Sequence, residues 1–278
     1  MYAPAALAFV VVYKASRMMN FALGEWLMLG SRLVATGIHA LGVGFVAAVG
    51  GSAAVMVGTA LVFSRMVLRR MVGHPPIALI MITIGLGALM RGSAAIVFSG
   101  IPSGIALPMP TDPLVIRGVS IAADKLASAA VSAVAVCAVS VFFRLSRTGV
   151  ALRAIADDQH VAMTAGIDVQ RHFAFTWAML AILSLVAGTL WTVGSSGGFG
   201  VVLLGLKVFP IVIIGGLDSI AGTIVGAVVI GILESVAAGY LDPIVGGGFS
   251  TVASYLVLLA VLFVRPHGLF GGPDIERV

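Results

Sequence analysis

Glu25 is a carboxylate inside an apolar run, and its chemistry needs an explanation. The run, residues 18–40, is otherwise interrupted by Asn20 and Arg32. A charged side chain at the centre of a bilayer costs about 2.5–3.5 kcal/mol or more. Glu25 is therefore expected either to belong to a polar site or pathway, or to be paired structurally with Arg17, Arg32 or backbone amides.

A second interruption lies in the other half of the chain. There, the stretch 207–240 is broken by Gly215, Gly216, Leu217, Asp218 and Ser219. The stretch is short for two spans, so we predict a half-helix, a break and a longer glycine-spaced helix. Irregular backbone at membrane depth is tolerated where it is buried in protein or lines a cavity, so this break is expected to line a pathway. Asp218 is expected to cap the following helix, with ligand contact as the alternative.

Interrupted helices in both halves of a chain are typical of transporters, whose substrate path runs between them. We therefore predict a translocation path lined by both interruptions and by Thr83, although a bond from Thr83 to its own helix is the simpler explanation. The predicted path residues are Asn20, Phe21, Gly24, Glu25, Thr83, Gly215, Gly216, Asp218 and Ser219. Arg91 is expected to snorkel outward, and Glu234 to pair or to face water.

Residues 144–173 form a polar island, rich in arginine and aspartate, between long apolar runs. Such a segment cannot lie in lipid, and its excess of arginine places it on the cytoplasmic side. Its middle, residues 151–165, has helix-forming composition and no proline. We therefore predict a solvent-facing helix of the kind that a soluble partner can bind.

The elements that must position these residues are membrane spans. The chain has 278 residues, of which 60% are hydrophobic and 10% are charged, against about 25% charged in soluble domains. Apolar runs of about 20 residues, enough to cross a bilayer, recur along it. We predict an all-α integral membrane fold: a polytopic helical bundle of about eight transmembrane segments, some broken or re-entrant, in a single domain over residues 1–278.

Several spans can be placed directly. They are predicted at 45–63, 77–98, 125–143, 174–193 and 251–264. Residues 99–123, with closely spaced prolines and glycines, are expected to form an ordered external loop with room for a β-hairpin. Charged loops at the cytoplasmic side are expected around Arg65, Arg69, Arg70 and His74, and at Arg265, Pro266 and His267.

Other functional classes lack support in the sequence. The net charge of +5 comes from basic residues at span ends, which membrane topology requires, so nucleic acid is not an expected partner. Cys137 is a lone cysteine in an apolar run, which excludes a disulfide framework and a cysteine-rich metal site. The chain has no P-loop motif for ATP. We expect no metal, no cofactor and no enzymatic activity.

Four segments of the chain carry a family resemblance. They are MMNFALGEWLMLG (18–30), RAIADDQHVAMTAGIDVQR (153–171), LKVFPIVIIGGLDSIAGTIVGAVVIGILE (206–234) and RPHGLFG (265–271). In this order they resemble motifs of the LivH-type permease subunits of branched-chain amino acid ABC transporters. Leu23 stands where that family usually has histidine, and Asp218 where it usually has glycine.

The resemblance implies a multi-pass permease of the bacterial inner membrane. Its partners would be a second homologous permease of the LivM type, two cytoplasmic ATP-binding subunits, which would carry the ATPase activity, and a periplasmic substrate-binding protein. It also implies that residues 144–173 hold a coupling helix that docks on an ATPase. The coupling residues implied are Arg153, Ala154, Asp157, Asp158, Ala162 and Gly166.

Two further points stay open from sequence. Members of this family carry branched-chain amino acids, amides, urea, or aromatic or short organic acids, so the resemblance leaves the substrate undecided. The alternative function is a stand-alone secondary transporter or channel driven by an ion gradient. That alternative calls for an intramembrane site rich in ionisable groups, and the sequence offers few: Glu25, Asp218 and Arg91.

Overall fold

The structure is a computed structural model that describes residues 1–71, 75–108, 113–116, 119–194, 197–245, 247–265 and 268–271. The regular secondary structure of the described chain is helical apart from one hairpin. Its helices are α1 Tyr2–Ser16, α2 Leu23–His39, α3 Phe45–Phe63, α4 Arg69–Met71, α5 Pro76–Val97, α6 Ala123–Leu145, α7 Arg147–Asp157, α8 Gln159–Thr164, α9 Val169–Gly194, α10 Val201–Gly215, α11 Ile220–Val236, α12 Asp242–Val245 and α13 Phe249–Val264. The π-helical turns Ser64–Leu68 and Ala237–Leu241 extend α3 and α11, and the 3-10 turn Gly198–Gly200 precedes α10.

The all-α membrane fold is confirmed. Six helices of the described chain are long and apolar enough to cross a membrane, and α1 and α13 are shorter apolar helices. The six are Phe45–Leu68, Ile77–Val97, Ala123–Leu145, Val169–Gly194, Gly198–Gly215 and Ile220–Val245. Each span placed from sequence coincides with a helix. The six long helices and the two shorter apolar helices agree with the predicted count of about eight segments. The expected hairpin is confirmed as β1 Leu114–Ile116 paired antiparallel with β2 Val119–Ile121. His74, Pro266 and His267 lie outside the described residues.

The core of the bundle is built from α1, α2, α9 and α10. Most of α1 is buried, and two-thirds of the apolar stretch of α9 is buried, whereas α3, α5 and α6 turn most of their surface outward. Glycine allows α2 and α9 to pack closely: a Cβ at Gly188 would lie 2.1 Å from the carbonyl oxygen of Leu27, and one at Gly30 would lie 2.7 Å from Cα of Leu185. Close contact through small residues holds helices together where lipid replaces water.

The predicted single helix over residues 151–165 is wrong in its form. The structure begins a helix earlier, at Arg147, and divides the segment at Asp158, whose backbone is extended. Ser146 Oγ caps α7 by accepting a hydrogen bond from the Gly149 amide at 2.8 Å. Asp158 Oδ1 does the same for α8, from the Val161 amide at 3.0 Å. An Asx or Ser side chain that satisfies a free amide in this way starts a new helix, and Asp158 therefore separates α7 from α8.

The predicted break is present, but the helix before it is long enough to cross a membrane and is not a half-helix. Asp218 is also not the cap of the helix after it. Ser219 is the N-cap of α11, and its Oγ accepts a hydrogen bond from the Gly222 amide at 3.0 Å. The break begins at Gly216, whose φ of 101° is in the left-handed region that glycine adopts without strain. The helix before the break, α10, is 15 residues long and contains Pro210 without interruption. It therefore rises about 22 Å before the chain breaks.

Candidate functional site

The first interrupted segment joins α1 to α2 through buried, non-helical backbone. Residues 17–22 are outside any helix, yet Met18, Asn20 and Ala22 are buried. Arg17 ends α1 in the left-handed conformation with φ 54°, and its amide donates to the Tyr13 carbonyl at 2.7 Å. Asn20 Oδ1 accepts a hydrogen bond from the Ala22 amide at 3.0 Å and so satisfies part of the irregular backbone.

Phe21 and Thr83 connect this segment to α5. The Phe21 amide donates to Thr83 Oγ1 at 3.2 Å, and Thr83 Oγ1 donates to the Ile80 carbonyl at 2.9 Å. The prediction that Thr83 bonds its own helix is confirmed, and the structure adds its bond to the interruption. The Phe21 ring also stacks on Phe209 of α10, with 5.1 Å between ring centroids. Phe21 itself is 39% exposed, so part of its ring is open to whatever lies beside the bundle.

Gly24 allows α10 to approach the start of α2. A Cβ at Gly24 would lie 2.3 Å from the carbonyl oxygen of Val202, and one at Gly205 would lie 2.5 Å from Cα of Gly24. No larger side chain fits between these backbones without moving a helix. Gly24 therefore fixes the position of the interruption relative to α10.

Glu25 is paired, but with a partner that the sequence does not indicate. Its Oε1 accepts a hydrogen bond from Arg91 Nη2 of α5, rather than from Arg17 or Arg32. Arg32 instead donates to the Ile101 carbonyl at 3.0 Å. Gly87 makes room for the pair, since a Cβ there would come within 3.2 Å of the Glu25 carboxyl carbon.

The two members of this pair differ in exposure. The Glu25 side chain is 5% exposed and the Arg91 side chain is 56% exposed. Arg91 was expected to extend toward the membrane surface, but its guanidinium instead bonds Glu25 on the neighbouring helix α2. A guanidinium at the side of a membrane helix is costly against lipid, so this face of α5 is suited to water or protein. Gly85 and Gly92 lie on the exposed side of the same helix with open space beside them.

The second interrupted segment lies beside the last turn of α1. Lys14 Nζ donates to the Asp218 carbonyl at 2.8 Å, and Asp218 and Ser219 line a cavity with Arg144 and Arg153. Gly215 and Gly216 are covered by the end of the described chain: the Phe270 amide donates to the Gly215 carbonyl at 3.2 Å, and a Cβ at Gly216 would meet Gly271 N at 2.6 Å. Asp218 and Ser219 therefore lie at the end of the bundle that carries these basic residues, and the expectation that both interruptions line one path stays a prediction.

The island residues fold into two short helices over a small core. This core consists of Ile155, Ala162, Val169 and Phe173. Ala162 is 3% exposed and packs inward, so its contribution is to hold α8 against the start of α9. Gly166 ends α8 with φ 81°, and the Ile167 amide donates to the Ala162 carbonyl at 3.0 Å.

The charged members of the island point outward from that core. Arg153, Asp157 and Asp158 are exposed, whereas Ala154 is partly covered. Leu152 is fully buried in the main core, which ties α7 to the bundle. The island therefore presents a charged outer surface on an anchored base.

A second polar cluster is partly buried, and its members were not predicted to meet. Glu234 of α11 accepts hydrogen bonds from Tyr2 Oη of α1 and from Lys207 Nζ of α10. The expectation that Glu234 pairs or faces water is confirmed in its first form. The available signal was that Lys207 and Glu234 are lone charges of opposite sign in apolar runs, and such charges usually pair with one another.

These features define a class: a polytopic helical membrane transport subunit with interrupted helices and an anchored, charged helical segment outside the apolar bundle. A family model described as the permease component of branched-chain amino acid transport systems matches residues 1–265. The chain belongs to this family, and it is a multi-pass permease of the bacterial inner membrane that works with other components of an ABC transport system.

Curated relatives match this chain over more than nine-tenths of their length. The chain is 28% identical to the high-affinity branched-chain amino acid transport system permease proteins LivH of Salmonella typhimurium and of Escherichia coli strain K12, covering 100% of this chain and 93% of each relative. It is 26% identical to the corresponding BraD protein of Pseudomonas aeruginosa, covering 100% of this chain and 94% of that relative. No solved structure matches the chain significantly.

Proposed function

We propose that this chain is the translocation subunit of an importer for branched-chain amino acids or related small organic solutes, and that ATP hydrolysis in partner subunits powers it. The relatives' names support this substrate class. We propose further that residues 1–278 form one permease domain, with residues 144–173 as its coupling segment and residues 99–123 as its external loop.

The exposed guanidinium of Arg91 carries the proposal. A side chain that is 56% exposed on an apolar helix needs water or protein beside it. A second permease of the LivM type, packed on this face of α5, would provide both. The small residues Gly85 and Gly92 would let its helices approach closely. The translocation path would then run beside Asn20, Phe21, Gly24, Glu25 and Thr83.

The coupling segment is connected to the residues of the proposed path through α1. Leu152 anchors α7 in the main core, and α7 packs against α1 and α6. α1 leads directly into the interruption at residues 17–22. Two cytoplasmic ATP-binding subunits would hold Arg153, Ala154, Asp157 and Asp158, and their two states would favour two positions of α7.

A periplasmic binding protein would deliver substrate to the opposite end of the bundle. The hairpin β1–β2 lies in the loop at that end, and His39 of α2 contacts the Gly104 carbonyl at 2.8 Å. This contact ties the loop to the helix that carries Glu25. Delivery at the loop and opening of the path at Glu25 would therefore involve one connected element.

An ion-coupled transporter without ATPases has less support from the described residues. Glu25 is neutralised by Arg91, and Glu234 by Lys207. Carboxylates that bind a driving ion must be free to exchange partners, whereas both of these already hold a cation.

The test is uptake by the complete complex in proteoliposomes, with radiolabelled leucine as the first solute and with urea and an aromatic acid in parallel. Gly166→Val is expected to lower ATP-driven uptake and substrate-stimulated ATP hydrolysis strongly, because Gly166 has φ 81° at the end of α8. Gly42→Val is the matched control: Gly42 has φ 64° and open space, but it lies between α2 and α3. Equal coupling in both variants, or uptake that follows an ion gradient without ATP, would contradict the proposal.

A further inference from the structure

A cavity of about 360 Å³ opens where α1, α6, α7 and α11 meet. Three basic side chains line it: Lys14 at the end of α1, Arg144 at the end of α6 and Arg153 on α7. Asp218 supplies the carboxylate that faces them. The excess of positive charge places this cavity at the cytoplasmic end of the bundle.

The basic side chains of the cavity are not neutralised by ion pairs within the described residues. Neither ion pair found there, Glu25 with Arg91 and Glu234 with Lys207, involves a cavity residue. Lys14 Nζ donates instead to the Asp218 carbonyl at 2.8 Å. The N-terminus of α11, a helix of 17 residues, also opens into the cavity at Ser219 and adds partial positive charge. The site is therefore suited to an anion.

Part of the cavity lining is apolar. Phe143, Ile224 and Phe270 line the cavity together with the basic groups. From there an exposed apolar strip continues along α11 through Val225, Val228 and Ile232, whose exposed fractions are 38%, 54% and 61%. Anion-binding groups beside a membrane-facing apolar strip match the two halves of a phospholipid.

We propose that this cavity binds the phosphate headgroup of an anionic phospholipid from the cytoplasmic leaflet, with an acyl chain along α11. Basic pockets between transmembrane helices at the cytoplasmic side are suited to such headgroups. Asp218 and Ser219, at the end of the break, line this lipid site. Because Arg153 is on the coupling segment, a bound lipid contacts the helix that the ATPases would move. This inference goes beyond the transport function and does not depend on the substrate.

The binding test uses the purified complete complex with defined lipids. Phosphatidylglycerol and, separately, inorganic phosphate are added, and bound molecules are counted by native mass spectrometry. Removing one cation is expected to weaken phosphatidylglycerol binding about five-fold. Arg144→Gln is the main variant, since Arg144 is exposed and its replacement is expected to leave the fold intact. Arg147→Gln, three residues away and outside the cavity lining, is the matched control.

Lys14→Gln removes a second cation of the cavity and tests the phosphate site independently. Ile224→Trp changes an apolar lining residue and tests the proposed contact with the acyl chain. Weaker phosphatidylglycerol binding in Arg144→Gln, Lys14→Gln and Ile224→Trp, with Arg147→Gln unchanged, supports the proposal. Two results together would overturn the lipid as ligand in favour of a free anion. In the first, inorganic phosphate binding depends on Arg144 as phosphatidylglycerol binding does; in the second, Ile224→Trp leaves phosphatidylglycerol binding unchanged. Equal lipid binding in Arg144→Gln and Arg147→Gln would overturn the site itself. An unaltered complex that binds phosphatidylglycerol but carries no solute would instead contradict only the proposed transport function.

Discussion

The guanidinium of Arg91 on α5 holds the carboxylate of Glu25 on α2, across 66 residues of sequence. The carboxylate is buried and the guanidinium is largely open. The pair therefore joins the interior of the bundle to a face that lipid cannot cover favourably. This relationship connects the first interruption, the proposed path and the proposed surface for a second permease.

Breaking the pair from one side is expected to destabilise the protein. Arg91→Gln leaves the Glu25 carboxylate buried without its cation, and a buried polar group that loses its partner costs about 1–3 kcal/mol. Thermal unfolding in detergent, followed by tryptophan fluorescence, is expected to show a lower midpoint for Arg91→Gln. The double variant Glu25→Gln with Arg91→Gln is expected to regain part of that loss. If the double variant were as unstable as the sum of both single variants, the pair would not be coupled.

The close approach of α2 to α9 is expected to tolerate no side chain at Gly188. Gly188→Ala places a methyl group 2.1 Å from the Leu27 carbonyl oxygen, and overpacking of this kind costs about 1–3 kcal/mol. Gly58→Ala on α3 is the control, because a Cβ there has open space. Size-exclusion profiles and thermal midpoints of the two variants give the comparison. Similar stability in both would show that the helices can separate without cost.

The division of the island at Asp158 is expected to depend on an oxygen and not on a charge. Asp158→Asn keeps an acceptor for the Val161 amide, whereas Asp158→Ala removes it, at a cost of about 1 kcal/mol. Amide hydrogen exchange over residues 159–164 is therefore expected to rise in Asp158→Ala and to stay near the original rate in Asp158→Asn. Fast exchange in both variants would assign the role to the negative charge.

The cluster around Glu234 is expected to act through opposite charges. Lys207→Met leaves the Glu234 carboxylate with Tyr2 alone, and lower yields of folded protein are expected because unpaired charges in membrane helices are costly. The exchange Lys207→Glu with Glu234→Lys is expected to restore part of the yield. Expression followed by fluorescence-detected size exclusion measures this. An exchange that recovers nothing would mean that Tyr2 and the local geometry matter more than the charges.

Hydropathy was sufficient to locate most of the fold. The spans around residues 45–63 and 174–193 become α3 and α9, because runs of apolar residues have one stable placement in a bilayer. The charged island was recognisable for the same reason. Its division at Asp158 was not, since residues 151–165 have helix-forming composition throughout and the cap at Asp158 is one hydrogen bond.

For the site residues too, local sequence predicts some features, whereas others depend on how the helices pack. Asn20, Phe21, Gly24, Glu25 and Thr83 meet as one cluster, but the partner of Glu25 depends on how α5 packs against α2, which no local pattern contains. Asp218 and Ser219 are both good caps by residue type, and the structure has Ser219 as the N-cap of α11. The depth of the break before α11 depended on how far α10 continues past Pro210.

The most direct test asks what the outer surface of α7 touches in the assembled complex. Cys137 is replaced by serine, a single cysteine is introduced by Asp157→Cys, and a photoreactive cross-linker is attached there. Lys125→Cys, at the start of α6 and the other end of the bundle, serves as the control. The account predicts that position 157 captures a nucleotide-hydrolysing subunit, in an amount that changes when ATP binds, and that position 125 does not. If position 157 captured no such subunit, or were labelled only from outside the cell, the account would be contradicted.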